Sequence, residues 1–289
     1  MLKKQFYSYW LLVPGLLIFA IFFIFPSLMS FYFAFTNLNG AFEVTRFVGF
    51  ENFITLYENP DNILALKNTF LYAFITTLFK IVLGLALALL ANQAIKSKIV
   101  LRSVLFFPVI LSTVAVAIAF RALYHPSTGL INVFLKAIGL ESLAKSWLTD
   151  PSIVMYAISF VEIWKWTGFT MVLFLAALQS VPNDIIEAAE IDGATPWQRF
   201  RFITMPMLIP VLNTNVILSV IGGLKVFDIV YALTGGGPGN ASSVINTAVF
   251  KAYAAGRNGE ATAANLVLFV IVLAAVLLLN KFINRENRG

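Results

Sequence analysis

The chain has 289 residues, 60% hydrophobic and only 12% charged, with a formal net charge of +6. A water-soluble domain of this composition would leave large apolar patches against water, so lipid must be the solvent for most of it. Cysteine is absent and His125 is the single histidine, which excludes disulfides, thiolate chemistry and Cys-based metal sites by count.

Apolar windows at 10–35, 68–93, 103–123, 153–180, 205–233 and 262–284 predict six transmembrane helices, since ~20 apolar residues cross a ~30 Å hydrocarbon layer. The fold class expected is an all-α membrane protein. Lys3 and Lys4 before the first run imitate a signal peptide, but the apolar stretch continues to about residue 35 without a small-residue cleavage site. It reads as a retained first helix, and residues 1–67 as that helix plus an outside loop, ahead of a transmembrane core at 68–289. Pro14, Pro26 and Pro108 mark kinks or helix ends.

Orientation follows from Lys and Arg near the span ends. Lys3, Lys4, Lys96, Lys98, Arg102, Arg199, Arg201, Lys281, Arg285 and Arg288 fall on the N-terminal side of the membrane. Arg46, Lys67, Arg121, Lys136, Lys145, Lys251 and Arg257 are diluted over longer loops on the other. Both termini are expected in the cytoplasm of a multi-pass protein of the cell membrane. The basic residues form no stripe with stacking aromatics, so nucleic acid is not a partner.

Lys80, Glu162, Lys165, Lys225 and Asp228 fall inside predicted spans, where a charge costs ~2.5–3.5 kcal/mol at mid-bilayer and faces protein or an aqueous cavity. Glu162 and Lys165 are three apart, as are Lys225 and Asp228, a spacing that lets each pair partly neutralise itself on one helix face. One reading makes Glu162, Trp164, Lys165, Trp166, Lys225, Phe227, Asp228 and Tyr231 a substrate pathway, with aromatics stacking on sugar faces and polar groups bonding hydroxyls. The other makes the same charges locks between helices.

The connection at 181–204 is polar. Pro182 fits a first helical turn, Asp184, Glu187 and Glu190 make an acidic stripe beside thin Ala188 and Ala189, and Gly193 is a left-handed terminator. Thr195, Pro196 and Gln198 then match a capping box, opening a second helix that carries Trp197, Phe200 and Phe202 toward the membrane. The reading is either an ordinary connection or a protein-docking site. Farther on, TGGGPGN at 234–240 lacks the spacing of a phosphate-binding loop and reads as a flexible exit turn. No GxxxxGK[ST] occurs anywhere in the chain, nor any Ser/His/Asp or metal-ligand constellation; no catalytic or metal residue is assigned.

The order Glu187-Ala188-Ala189, Gly193, Ile203, Pro206 resembles the cytoplasmic EAA loop of permease subunits of binding-protein-dependent ATP-binding-cassette (ABC) importers. QSVPNDIIEAAEIDGATPWQRFRFITMPMLIP, FVGFENF near 50, YHPSTGLIN near 125 and VFDIVYALTGGGPGN from Val226 are similar to the carbohydrate-uptake branch, of maltose, glycerol-phosphate and multiple-sugar type. Met205 departs from the usual Leu, a swap of similar size. The resemblance covers nearly the whole chain and implies a type I importer permease with six spans.

It implies further that Glu187, Ala188, Ala189, Asp192, Gly193, Arg199 and Pro206 couple to a cytoplasmic ATPase. Gly235, Gly236, Gly237 and Pro238 would lie on the side that meets a binding protein. The partners implied are a second homologous permease, two ABC ATPase subunits and an extracytoplasmic solute-binding protein, with lipid around and a carbohydrate as cargo. No cofactor is bound by this chain, which is not an enzyme; ATP and Mg belong to the ATPases. A glycerol-phosphate importer permease is the nearest alternative, and an ion-coupled secondary transporter a more distant one.

Overall fold

The computed structural model describes residues 9–40, 45–93 and 98–286; Lys3, Lys4, Lys96 and Arg288 lie outside them. Helix α1 spans Trp10–Phe33, α2 Glu51–Glu58, α3 Pro60–Asn92, α4 Lys98–Ile110, α5 Thr113–Leu123 and α6 Leu130–Ala137. Then follow α7 Val154–Leu178, α8 Asn183–Ile191, α9 Pro196–Leu224, α10 Asp228–Thr234, α11 Ile245–Ala254 and α12 Asn258–Glu286. Among the described residues α1, α3, α7, α9 and α12 are long and apolar enough to cross a membrane, and α4 with α5 form a sixth span bent by 97°. The architecture is the expected all-α, six-span one.

Three spans differ from those read off hydropathy. Helix α3 starts at Pro60, not 68, because the Asn59 side chain accepts the Asp61 N–H at 2.9 Å and Pro60 fits a first turn that needs no N–H. The 67/68 boundary therefore falls inside a continuous helix. The third span breaks at 111–112, just beyond Pro108. The fifth runs from Pro196 to Leu224 and stops, and the apolar residues at 226–233 belong to a turn and the separate helix α10. Apolarity alone cannot register such a stop.

Pro26 and Pro206 leave the same mark. Each lacks the N–H that would bond four residues back, and each follows a wide turn, Ala20–Ile24 and Phe200–Thr204, in which bonds reach five residues back. The Phe25 N–H reaches Ala20 O and the Met205 N–H reaches Phe200 O. The helices continue through both.

Helix α7 is the centre, packed on α3, α4 and α9, while α1 has no buried residue up to Phe33 and touches α12 through the Phe31 and Phe269 rings, 5.2 Å apart. Without a hydrophobic drive between helices in lipid, close approach through small residues holds such a bundle. At Gly84 an added Cβ would lie 2.6 Å from Thr170 Cγ2, and at Gly168 it would lie 2.3 Å from the Leu105 carbonyl oxygen. Among the described residues two buried clusters result. Tyr72, Val116, Phe120, Ile158, Val161, Ile229 and Val230 form one, and Ala88, Ala91, Met171, Phe174, Leu178 and Leu208 the other, toward the connection that carries α8.

Candidate functional site

Between α3, α7, α9 and the start of α10 lies an open cavity of about 370 Å³. Helix α7 presents Glu162, Trp166, Phe169 and Thr170, and α9 presents Asn215, Leu218, Ser219 and Gly222; both sets have the three- and four-residue spacing of one helix face. Lys80 comes from α3 and Thr113 from α5, Lys225 and Phe227 come from the turn between α9 and α10, and Asp228 opens α10. Lys80 Nζ lies 3.6 Å from Glu162 Oε1, with both side chains largely buried. Asn215 is almost wholly buried, and its Nδ2 has no hydrogen-bond partner among the described residues.

Of the eight pathway residues expected from sequence, Glu162, Trp166, Lys225, Phe227 and Asp228 line this cavity. Trp164 points elsewhere, its ring 5.2 Å from that of Phe120. Tyr231 stacks on Phe227 at 5.2 Å and lines a neighbouring open hollow with Arg121 and Phe250. Lys165 is buried off the cavity and donates to Val109 O at 3.2 Å and Leu111 O at 2.8 Å. The expected pairing within one helix face is therefore corrected: Glu162 pairs with Lys80 across two helices, and Lys165 serves the broken span.

Lys225 and Asp228 do not share a helix face either, because the chain turns between them. Sequence reasoning did not find Thr113, Thr170, Asn215 or Ser219. The one signal available was the spacing of Asn215, Ser219 and Gly222 in an otherwise apolar run.

The two breaks that shape the cavity are satisfied alike. Interrupting a helix inside lipid frees carbonyls that must find donors, at a cost of several kcal/mol each when they do not. At the break in the third span the donor is the Lys165 ammonium. At the end of α9 it is Asn246, whose Nδ2 donates to Lys225 O at 2.8 Å and Val226 O at 3.2 Å. Asn68 does the same for the glycine-rich turn, donating to Ala241 O and Ser243 O. That turn is not a loose exit: Gly235 N–H bonds Tyr231 O, Gly237 N–H bonds Thr234 O, and Ser242 N–H bonds Gly236 O. Gly236 is buried, and Gly235, Gly237 and Pro238 are half-buried.

The polar connection forms both helices. Pro182 stands one position earlier than expected, as the residue before α8, with Asp184 in the first turn. Gly193 adopts φ 79°; its N–H bonds Glu190 O and the Ala194 N–H reaches back to Ala189 O at 2.9 Å, the paired bonds of a left-handed helix end. Thr195 Oγ1 then accepts the Gln198 N–H, and Gln198 Oε1 accepts the Thr195 N–H at 2.7 Å. An ion pair between Glu190 and Arg199 ties the two helices.

Helix α8 stands clear of the bundle. Asp184, Glu187, Ala188 and Glu190 are exposed, and Ile191 is 87% exposed. Asp192, Gly193 and Arg199 line a shallow groove of about 330 Å³ with Phe202, and Pro206 sits past the wide turn where α9 enters the bundle. His125, by contrast, closes a local turn, its Nδ1 accepting the Thr128 N–H at 3.2 Å.

Residues 80–288 match the family described as binding-protein-dependent transport system inner membrane component. The chain is 35% identical over 97% of both lengths to the probable ABC transporter permease protein YurN of Bacillus subtilis. It is 34% identical to the trehalose/maltose transport system permease protein MalF of Thermococcus litoralis, covering 92% of this chain and 90% of that one. Among solved structures, a chain of a bacterial ABC transporter involved in import of the acidic polysaccharide alginate superposes with a TM-score of 0.84 at 29% identity, over 96% of this chain and 94% of that one.

Proposed function

The chain belongs to the family of binding-protein-dependent transport system inner membrane components and is a permease subunit of an ABC importer; from that premise we propose that its cargo is a sugar or oligosaccharide and that its cavity is part of the path. The observation that carries this is the cavity's lining. Aromatic Trp166, Phe169 and Phe227 stand beside Thr170, Asn215, Ser219 and Asp228, which suits a ligand with apolar ring faces and many hydroxyls. The relatives' cargoes add support, trehalose/maltose in one case and alginate in another. They differ in charge, so they leave the cargo's charge open.

In this reading one of two ABC ATPase subunits docks on α8 from the cytoplasm and the other on a second permease, ATP and Mg stay with the ATPases, and a solute-binding protein delivers cargo on the other face. The second permease completes the path, and both termini are cytoplasmic. Glu187, Ala188, Ala189, Asp192 and Gly193 meet the ATPase, and α9, continuous from Pro196 to Leu224, carries its movement toward the turn that holds Lys225 and Asp228. Gly235 to Pro238 stand on the face offered to the binding protein, held in shape by the bonds of their own turn.

The test is sugar uptake into proteoliposomes containing the assembled importer and its binding protein. Uptake is expected to require ATP, and Trp166→Ala to lower it about tenfold or more with assembly intact. Uptake driven by an ion gradient without ATPase subunits, or Trp166→Ala uptake equal to wild type, sinks the reading.

A further inference from the structure

Resting on that reading, the cavity's charges narrow the cargo. Among the residues that line it the charged ones are Lys80, Glu162, Lys225 and Asp228, two of each sign. Lys80 and Glu162 are within 3.6 Å of each other, so neither is free to serve as the counter-charge of a ligand. The third cation of this part of the membrane, Lys165, is spent on the carbonyls of Val109 and Leu111 and does not line the cavity. Lys225 and Asp228 stand exposed at opposite ends of one short turn, again one of each sign. The remaining polar groups are neutral: Thr113, Thr170, Asn215 and Ser219.

We propose that this wall of the path is built for an uncharged saccharide and selects against phosphorylated or uronic ones, with Glu162 the specificity-determining residue because it cancels Lys80. An anion moving through low-dielectric surroundings needs a fixed positive charge to replace its hydration; the buried cation of this wall, Lys80, is already paired with Glu162, and Lys225 stands exposed with the opposite charge of Asp228 three residues on. A neutral saccharide needs only donors and acceptors. The unpartnered Asn215 Nδ2 is one such donor, buried and held ready for an oxygen. The likeness to an alginate importer is then one of fold, with cargo charge set by a few side chains on that fold.

The experiment measures equilibrium binding to the purified, assembled importer without its binding protein, so that the membrane path alone discriminates. Its probes are two trisaccharides, neutral maltotriose and anionic trigalacturonate. Wild type is expected to prefer maltotriose. Glu162→Gln, which uncovers the Lys80 charge, is expected to shift the ratio of affinities toward trigalacturonate by about tenfold or more, at an effective dielectric near 20. Asp228→Asn removes one negative charge at an exposed position without breaking a buried pair, and shifts the ratio the same way even if Glu162→Gln does not assemble. The double variant Lys80→Met with Glu162→Gln restores the wild-type preference. A wild-type preference for trigalacturonate, or ratios unmoved in both single variants, overturns the proposal. Binding of neither trisaccharide by wild type overturns the carbohydrate reading beneath it.

Discussion

The cavity and the exposed connection are held in shape by different kinds of bond. Around the cavity the bonds that matter join distant parts of the chain. Lys80 meets Glu162, Lys165 reaches back 54 and 56 residues to the broken span, and Asn246 holds the end of α9. In the connection they are local: Gly193 to Glu190, Ala194 to Ala189, Thr195 to Gln198, Glu190 to Arg199. The difference teaches how force can pass between them. A loop whose shape is internal can move as a small rigid body, and its helical connection to the bundle is α9 itself, whose second half lines the cavity. Damage to the cavity's clamps should therefore unmake the bundle, whereas damage to the loop should uncouple it and leave the bundle standing.

The largest effect is expected at Lys165. Lys165→Met keeps a similar stem but removes both hydrogen bonds at the break, leaving two carbonyls without donors at a cost of ~1–3 kcal/mol apiece. Thermal unfolding of the detergent-purified importer should show a clear fall in melting temperature, and Lys165→Arg should recover most of it because a guanidinium also donates. A Lys165→Met melting temperature equal to wild type would remove the clamp from the account and weaken the contrast between the two regions.

Gly193 tests the other side of that contrast. A β-branched residue at φ 79° costs roughly 1–2 kcal/mol or more, and it distorts the bend between the two short helices. For Gly193→Val we expect stimulation of ATP hydrolysis by loaded binding protein to drop about tenfold, within the usual range of coupling energies, with a melting temperature near that of wild type. A large loss of stability instead would mean that the loop is part of the bundle's support, and the two regions would no longer be separable.

The same contrast explains what was legible beforehand. The caps at Gly193 and Thr195 were readable because their chemistry lies within a few residues, and the helices formed where those residues put them. Pro182 was misplaced by one position only, since a Pro with extended ψ serves equally before a first turn. The intramembrane charges were found but their partners were not: a spacing of three between Glu162 and Lys165 suggests a pair, yet packing brought Lys80 to Glu162 from another helix. The stop at Leu224 was hidden for the same reason. Val226, Ile229 and Val230 are as apolar as a span requires, and the Asn246 clamp that ends it belongs to another part of the chain.

The smallest expected effect, and the sharpest on mechanism, concerns Glu190 and Arg199. Their ion pair joins α8 to the start of α9, and Glu190 is more than half exposed, so its contribution to stability is ~1 kcal/mol or less. Its value to coupling is a separate quantity. If the pair makes α8 and α9 one lever, Glu190→Gln and Arg199→Gln should each lower stimulated ATP hydrolysis by a similar factor, and the double variant should be no worse than either single one, because the tie is broken only once. If the losses multiply, each residue acts through contacts of its own, and movement must pass from α8 to α9 through the Gly193 bend alone.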